Sequence, residues 1–152
     1  MSRGPRVADR EVVAPAEYRE SLLSFRTPEE LAETAKRELA RLPPATASMK
    51  AKERMAIPPQ EMPTQPPSQR TRNFNEVALG YSAEQARVEA ARCLQCKIAP
   101  CVEGCPVRLR MPEFIKAAAE GDFARSIAVI KESSVLPAVC GRVCPQEVQC
   151  QL

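Results

Sequence analysis

Seven cysteines, all between Cys93 and Cys150, constrain most strongly what this 152-residue chain can fold into. Four of them fall within CLQCKIAPCVEGCP (93–106), and the chain has no histidine. The spacing is C-x2-C-x4-C-x3-C, a gap of 34 residues, then C-x3-C-x5-C. Without a secretion signal, thiols clustered in this way hold a metal more often than they form disulfides. The pattern therefore predicts a metal centre whose protein ligands are all cysteines.

Iron–sulfur and zinc sites are the two alternatives that an all-cysteine donor set leaves open. A C-x2-C turn lets two thiolates converge on one centre, and nearby backbone amides and low exposure tune an iron–sulfur cluster. Zinc sites with four cysteines usually pair two such turns, whereas this chain has one, Cys93–Cys96. Cys105 and Cys144 each precede a proline, as in two-cluster ferredoxins, although the four-residue gap departs from that motif. The spacing favours iron–sulfur clusters over zinc.

The composition narrows the remaining classes of function. Aromatic residues make up only 4%, with no tryptophan, so the core must consist of alanine, valine, isoleucine and leucine. A small core of this kind often needs a bound metal to stabilise it. A net charge of +3 and the lack of a base-stacking aromatic set give no support for a nucleic-acid partner. No 18-residue apolar run or signal peptide is evident, so we expect a soluble, cytoplasmic protein that does not enter a membrane.

Catalysis by the chain itself is not expected. It lacks a histidine base, and its five glycines form neither a phosphate-binding loop nor a dinucleotide fingerprint. A lone reactive thiolate is equally unexpected among six other thiols. We therefore assign no catalytic residue.

The N-terminal half divides into two segments. Residues 1–54 form an extension with one predicted helix, which starts at the N-cap Thr27, has a capping box with Glu30 and ends before Pro43. Its apolar stripe is narrow and consists of Leu31, Ala35 and Leu39. A narrow stripe favours a helix that packs on its own domain or is exposed to solvent over a helix that binds a partner. Residues 55–72 form a proline-rich arm that should be extended and lie on a surface.

Residues 73–152 are predicted to form a helical domain, because no alternating strand pattern occurs there. Ser82 and Gln85 mark a capping box, and the helix that they start should carry Cys93 and Cys96 in its last turn or just beyond it. Its apolar stripe is predicted to be Ala86, Ala90 and Leu94.

Two more helices follow in the pattern. One should begin near Pro112 and end at Gly121 as a left-handed C-cap, and the next should be capped by Asp122. Pro137 is predicted to end the helical part before AVCGRVCPQEVQC. The second helix should carry Phe123, Ile127 and Ile130 on one face. We thus predict an all-α domain with its cysteines on loops and helix ends.

The stretches RCLQC, PCVEGCPV, GDF and LPAVCGRVCPQE resemble the N-terminal iron–sulfur domain of the glutamate synthase small (beta) subunit. Dihydropyrimidine dehydrogenase and related flavin-dependent NAD(P)H oxidoreductases share that domain. The resemblance covers about residues 55–150, from IPPQEMP onward. It implies a small helical ferredoxin-like domain that binds two [4Fe–4S] clusters.

The resemblance also implies a ligand set. The first cluster would be held by Cys93, Cys96 and Cys101, and the second by Cys105, Cys144 and Cys150. Cys140 matches a family cysteine that need not be a ligand. The fourth ligands of the family lie downstream of Leu152, so we expect this chain to be a truncated or partial form, with Gln149, Gln151 or an external thiolate as possible substitutes. Four cations near the thiols either offset cluster charge or are ordinary surface charges: Arg92, Lys97, Arg108 and Arg142.

The function implied by the resemblance is electron transfer in glutamate biosynthesis. Electrons from NADPH would pass through FAD and the two clusters to the flavin of the glutamate synthase large subunit, the expected partner. The FAD- and NADPH-binding region of that family lies downstream of Leu152. Three alternatives remain: the same relay in a ferredoxin:NADP-type oxidoreductase, a zinc-stabilised interaction module, and a fragment that only docks onto a partner.

Overall fold

The computed structural model describes residues 25–44 and 46–151, with the backbone alone at Ala47. Within these residues the chain is helical and contains no strand, only one antiparallel bridge between Thr64 and Ala78. The predicted all-α class is confirmed. Across the described part of the chain, every helix is too short or too polar to cross a membrane. The part of the predicted extension before residue 25 lies outside the described residues.

Helix α1 (Pro28–Arg41) begins as predicted. The Thr27 side chain accepts a hydrogen bond from the Glu30 amide, and the Glu30 carboxylate accepts one from the Thr27 amide at 2.8 Å. Leu31 and Ala35 are buried, and α1 packs against α4 (Ala83–Ala91). The first helix is therefore part of the domain's own packing.

Between α1 and α4 the chain is more ordered than the sequence suggests. A 3-10 turn (Thr46–Ser48), helix α2 (Ala51–Met55) and helix α3 (Pro67–Arg70) were not predicted. The arm is also partly buried, with Ile57 only 7% exposed. Hydrogen bonds explain this: the Gln60 amide donates to the Glu89 carboxylate at 2.8 Å, and the Gln85 side chain donates to the Glu61 carbonyl at 3.0 Å.

Helix α4 has the predicted capping box but buries another face. Ser82 and Gln85 cap each other's backbone amides. The predicted apolar stripe was wrong, because Leu94 is 44% exposed and lies beyond the helix. The buried side chains are Gln85, Val88 and Ala91, and Val88 and Ala91 form a small core with Ile57.

Three further helices follow: α5 (Pro100–Glu103), α6 (Met111–Glu120) and α7 (Phe123–Lys131). Of these, α5 contains Cys101. Gly121 ends α6 with φ 84°, and the Asp122 side chain caps α7, both as predicted. The apolar face of α7 that carries Phe123, Ile127 and Ile130 is only partly buried. Phe123 and Ile127 are 41% and 39% exposed, whereas Ser126 and Val129 are buried. Helix α6 packs on both α4 and α7.

Pro137 begins a helix, contrary to the prediction that it ends the helical part. Helix α8 (Pro137–Val143) has this proline in its first turn, where no intrahelical amide donor is needed. A 3-10 turn (Gln146–Val148) follows and precedes Cys150. Helix α8 therefore places Cys140 within a helix and Cys144 directly after one.

Candidate metal centre

Three segments carry the seven cysteines, all of which are free thiols. Cys93 and Cys96 follow α4 in a loop, as expected from its capping signal. Cys101 lies in α5 and Cys105 directly after it, while α8 and the segment beyond it carry Cys140, Cys144 and Cys150. Cys105 is 8% exposed, and Cys96 is the one cysteine classed as exposed.

Cys93 and Cys101 belong to one group of thiols. Partial burial raises the pKa of the Cys101 thiol, and the nearby Cys93 thiolate raises it further; hydrogen bonds to backbone amides oppose both effects. Cys150 contributes a weaker repulsion in the same direction. Cys101 therefore lies within electrostatic range of Cys93 and, more weakly, of Cys150.

The turn between Cys93 and Cys96 has an unusual backbone. Gln95 has φ 54°, in the left-handed region that residues other than glycine, asparagine and aspartate rarely adopt. Its side-chain amide donates a hydrogen bond to the Pro112 carbonyl at 3.0 Å, which fastens the turn to the start of α6. Backbone strain of this kind occurs mainly at binding and active sites, where the surrounding structure holds the residue in place.

The second group of thiols surrounds a cavity of about 550 Å³. Burial raises the pKa of Cys144, and the neighbouring thiolates of Cys150, Cys105 and Cys140 raise it further in that order. The other walls are mainly apolar, with Val107, Leu109, Met111, Phe114 and Ile130 among them. The three predicted ligands of the second site thus share one cavity.

Cys140 lines the same cavity, which the sequence did not indicate. Its sulfur lies 3.7 Å from the Ser134 hydroxyl. Gln149 also reaches the cavity, where its side-chain oxygen accepts a hydrogen bond from the Cys144 thiol at 3.2 Å. Gln151 is exposed and its side chain donates to that of Gln146 at 3.5 Å, so of the two glutamines only Gln149 lines the cavity.

A close backbone contact joins the two groups. A Cβ atom on Gly104 would lie 2.5 Å from the Gln149 carbonyl oxygen and 3.4 Å from the Cα of Cys150. The glycine at this position therefore lets the end of α5 approach the segment that carries Cys150. Because Cys101 and Cys105 flank Gly104, this contact brings both groups toward Cys150.

The chemistry of these donors fits iron–sulfur clusters. Among the described residues, no three histidine, cysteine, aspartate or glutamate side chains already stand in a metal-binding arrangement. Four of the thiols do, however, converge on a mainly apolar cavity, and burial together with neighbouring thiolates raises the pKa of Cys101 and of Cys144, so these two thiols would lose their protons when a metal binds. Thiolates with apolar, water-excluding surroundings are what such clusters require.

The cations proposed from the sequence mostly pair with acids. Arg108 binds Glu103 at 2.6 Å, Arg142 binds Glu76 at 2.6 Å and Arg92 pairs with Glu89, whereas Lys97 is exposed. The buried cation beside the cysteines is instead Arg54, which the sequence analysis missed. No local signal marks it, because the two carbonyls that it contacts beside the cysteines, those of Ala91 and Cys93, lie 37 and 39 residues away.

A small helical domain with thiol donors on loops and helix ends is the architecture of an iron–sulfur protein. The family model described as dihydropyrimidine dehydrogenase domain II, 4Fe-4S cluster, matches residues 70–152. The chain therefore belongs to this family of 4Fe-4S domains, and family membership favours iron–sulfur ligation over zinc.

Several curated proteins are similar to the chain. The small chain of NADPH glutamate synthase from Azospirillum brasilense is 34% identical over 93 residues, which is 60% of this chain and 19% of that protein. The corresponding small chain from Escherichia coli K12 is 37% identical over 59% of this chain and 19% of its own length. The NAD-dependent dihydropyrimidine dehydrogenase subunit PreT of Escherichia coli K12 is 38% identical over 51% of this chain and 19% of its own. The chain thus spans about a fifth of the length of these relatives.

Proposed function

We propose that this chain is an electron-relay domain that binds two [4Fe–4S] clusters. The observation that carries the proposal is the arrangement of the thiols in two adjacent groups, joined by the contact of Gly104 with Gln149, in a chain of a 4Fe-4S family. Cys93, Cys96 and Cys101 would hold one cluster, and Cys105, Cys144 and Cys150 the other. When bound, such clusters accept and release single electrons.

The protein's own contribution is binding, an apolar environment and spacing. Mainly apolar walls around Cys105, Cys144 and Cys150 would lower the local dielectric constant at the second site. The Gly104 contact keeps the two sites adjacent, which a relay needs because electron transfer is fastest over short distances. No described side chain is required as an acid, base or nucleophile, so the chain conducts electrons and does not catalyse a reaction alone.

For the larger reaction we propose the glutamate synthase type. Small chains of NADPH glutamate synthase are among the relatives from three bacteria. In that setting FAD and NADPH belong to the parts of the relatives that this chain does not cover, and the acceptor is the large-subunit flavin. A cytoplasmic location follows from this assignment. The partner surface would be formed near the clusters, where electrons leave.

A second candidate has its own support. PreT subunits of NAD-dependent dihydropyrimidine dehydrogenase match at 38–39% identity, somewhat above the glutamate synthase chains. The same relay would then serve a pyrimidine-reducing partner. Co-purification of the chain with each large subunit separates the two, because only the true partner would bind stably.

Iron and sulfide analysis of protein purified without oxygen tests the relay. We expect ~8 irons per chain, broad visible absorption and two overlapping electron paramagnetic resonance signals after reduction. A matched Cys144→Ser variant should lose the signal of one cluster and keep the other. A colourless protein with stoichiometric zinc, or one without metal, would overturn the proposal.

A further inference from the structure

Arg54 is the one charged side chain that is buried among the described residues, with 5% of its surface exposed. It lies on α2, upstream of the range 70–152 that the family model matches. Burying a guanidinium group is costly unless hydrogen bonds replace its hydration. Its partners therefore explain why a charge is held there.

Those partners are backbone carbonyls. One terminal nitrogen, Nη1, donates to the Ala91 carbonyl at 2.9 Å and to the Cys93 carbonyl at 3.0 Å. The other, Nη2, donates to Thr46, and Nε donates to Met49 at 3.3 Å. No carboxylate in the described part of the chain lies within ion-pair distance of Arg54. Its positive charge is thus solvated by carbonyl dipoles and not neutralised by an acid.

The two distant carbonyls mark the start of the first thiol site. Ala91 is the last residue of α4, so its carbonyl has no partner within the helix. A cation at this end of a helix also complements the helix dipole. Cys93 is the first thiol of the C-x2-C turn, and Gln95 of that turn lines a cavity of about 310 Å³ together with Arg54. The guanidinium therefore lies directly behind the loop that presents Cys93 and Cys96.

We propose that Arg54 is a positioning residue for the first cluster. Its guanidinium holds the backbone of Cys93 at the end of α4 and supplies a buried positive charge that offsets the charge of the thiolates of Cys93, Cys96 and Cys101. This inference rests on the proposed function of those cysteines. It also makes the segment from Thr46 to Ile57 part of the iron–sulfur unit, although the family match begins at residue 70.

The test compares Arg54→Met and Arg54→Lys in the full chain, purified without oxygen. The control is Arg41→Met, because the Arg41 side chain is 73% exposed and, within the described residues, pairs with Glu38 on the same helix. Three quantities are measured: iron per chain, the midpoint potential of each paramagnetic signal, and the rate of trypsin cleavage after Lys97 in the loop.

Removal of the charge should affect one cluster alone. In Arg54→Met we expect loss of roughly half of the iron, or a more negative midpoint potential for one of the two signals, because a lost cation disfavours the added electron. Cleavage after Lys97 should be several-fold faster, since the loop loses its anchor. Arg54→Lys keeps the positive charge but lacks the branched guanidinium that donates to several carbonyls. The midpoint potential in this variant should therefore lie nearer the parent value, while trypsin cleavage after Lys97 stays fast.

Several results would overturn the inference and are distinguishable from failure of the proposed function. Unchanged iron, potentials and cleavage in Arg54→Met would show that the residue does not position the site. If Arg54→Met does not fold, Arg54→Lys decides, and parent-like cleavage in that variant contradicts the inference. If the parent protein binds no iron, the proposed function fails by itself, and the positioning of the cluster fails with it.

Discussion

The Cα of Gly104 lies so close to the Gln149 carbonyl that any larger residue would place its Cβ 2.5 Å from that oxygen. Gly104 has φ −74°, so the backbone conformation does not itself require glycine. The requirement comes from the close approach of two segments. These segments carry Cys101 and Cys105 on one side and Cys150 on the other.

Gly104→Ala should therefore weaken both thiol groups together. The added methyl group forces α5 and the Cys150 segment apart, which we expect to cost about 1–3 kcal/mol of stability, as overpacking usually does. We also expect lower iron content and faster bleaching in air. The measurement is iron per chain, with the loss of visible absorption followed after exposure to oxygen.

Gly80→Ala is the control for this variant. Gly80 has φ 82°, no described atom lies within 4 Å of a Cβ placed there, and it lies outside the lining of the cavity that Cys105, Cys144 and Cys150 share. Alanine at this positive φ is strained by about 1–2 kcal/mol, so the variant should be destabilised to a similar degree and still keep its iron. Equal iron content in the two variants would mean that the Gly104 contact does not support the site.

Cys140 and Cys144 provide a second prediction. Both line the same cavity, but the Cys140 sulfur contacts the Ser134 hydroxyl, a contact that a serine side chain can also make. We expect Cys144→Ser to lose ~4 irons per chain and Cys140→Ser to keep its full iron content. Iron analysis beside the paramagnetic spectra distinguishes the variants. Loss of ~4 irons from Cys140→Ser as well would identify Cys140 as a ligand of the second cluster.

Gln85 joins the proline-rich arm to the domain. Its side chain is 1% exposed, accepts a hydrogen bond from the Ser82 amide at 3.1 Å and donates to the Glu61 carbonyl at 3.0 Å. Gln85→Ala leaves these partners unsatisfied and should destabilise the fold by about 1–3 kcal/mol. Denaturant unfolding measures this, with Gln69→Ala, on an exposed part of α3, as the control. Equal stability of the two variants would show that the arm is not anchored through Gln85.

Local signals in the sequence predicted where α1, α4, α6 and α7 begin, whereas long-range contacts decided which faces are buried. Thr27 and Ser82 cap helices as their spacing to a glutamate or glutamine predicts, because a capping box is a four-residue interaction. The buried face of α4 was mispredicted because it includes Gln85, a polar residue. Its burial depends on a hydrogen bond to the carbonyl of Glu61, which lies 24 residues away in the sequence. Ser126 of α7 is a second polar side chain that a tertiary contact buries, since its hydroxyl donates to the Phe114 carbonyl at 2.9 Å.

The candidate site, too, was predictable from local sequence only in part. Cysteine spacing predicted a metal centre with cysteine ligands, and the structure places Cys105, Cys144 and Cys150 around one cavity. Pro137 was ambiguous, because proline either follows a helix or occupies its first turn, and here it begins α8. Arg54 was not predictable at all, since its role depends on the fold bringing residues 54 and 93 together.

The ion pair of Glu76 and Arg142 gives the last prediction. These residues are 66 positions apart, and their atoms approach to 2.6 Å, so the pair ties α8 to the loop after the arm. A hydrogen bond from Arg142 lowers the pKa of the Glu76 carboxyl, with its positive charge acting in the same direction. Because the folded-state pKa is lowered, the stabilisation is complete above the unfolded value of about 4.3 and disappears as the pH falls through the lower folded value.

Carbon-13 NMR of the Glu76 carboxyl measures this pKa directly. The titration midpoint should lie below the ordinary glutamate value in the parent protein and return toward it in Arg142→Gln, which replaces the cation with a shorter, neutral amide. High salt should reduce the difference, since the pair is exposed to solvent. Arg108→Gln, which breaks an exposed pair with Glu103, is the control and should leave the Glu76 midpoint unchanged. An identical midpoint in the parent and in Arg142→Gln would show that the pair does not form in solution, and α8 would then need another explanation for its position beside Cys105.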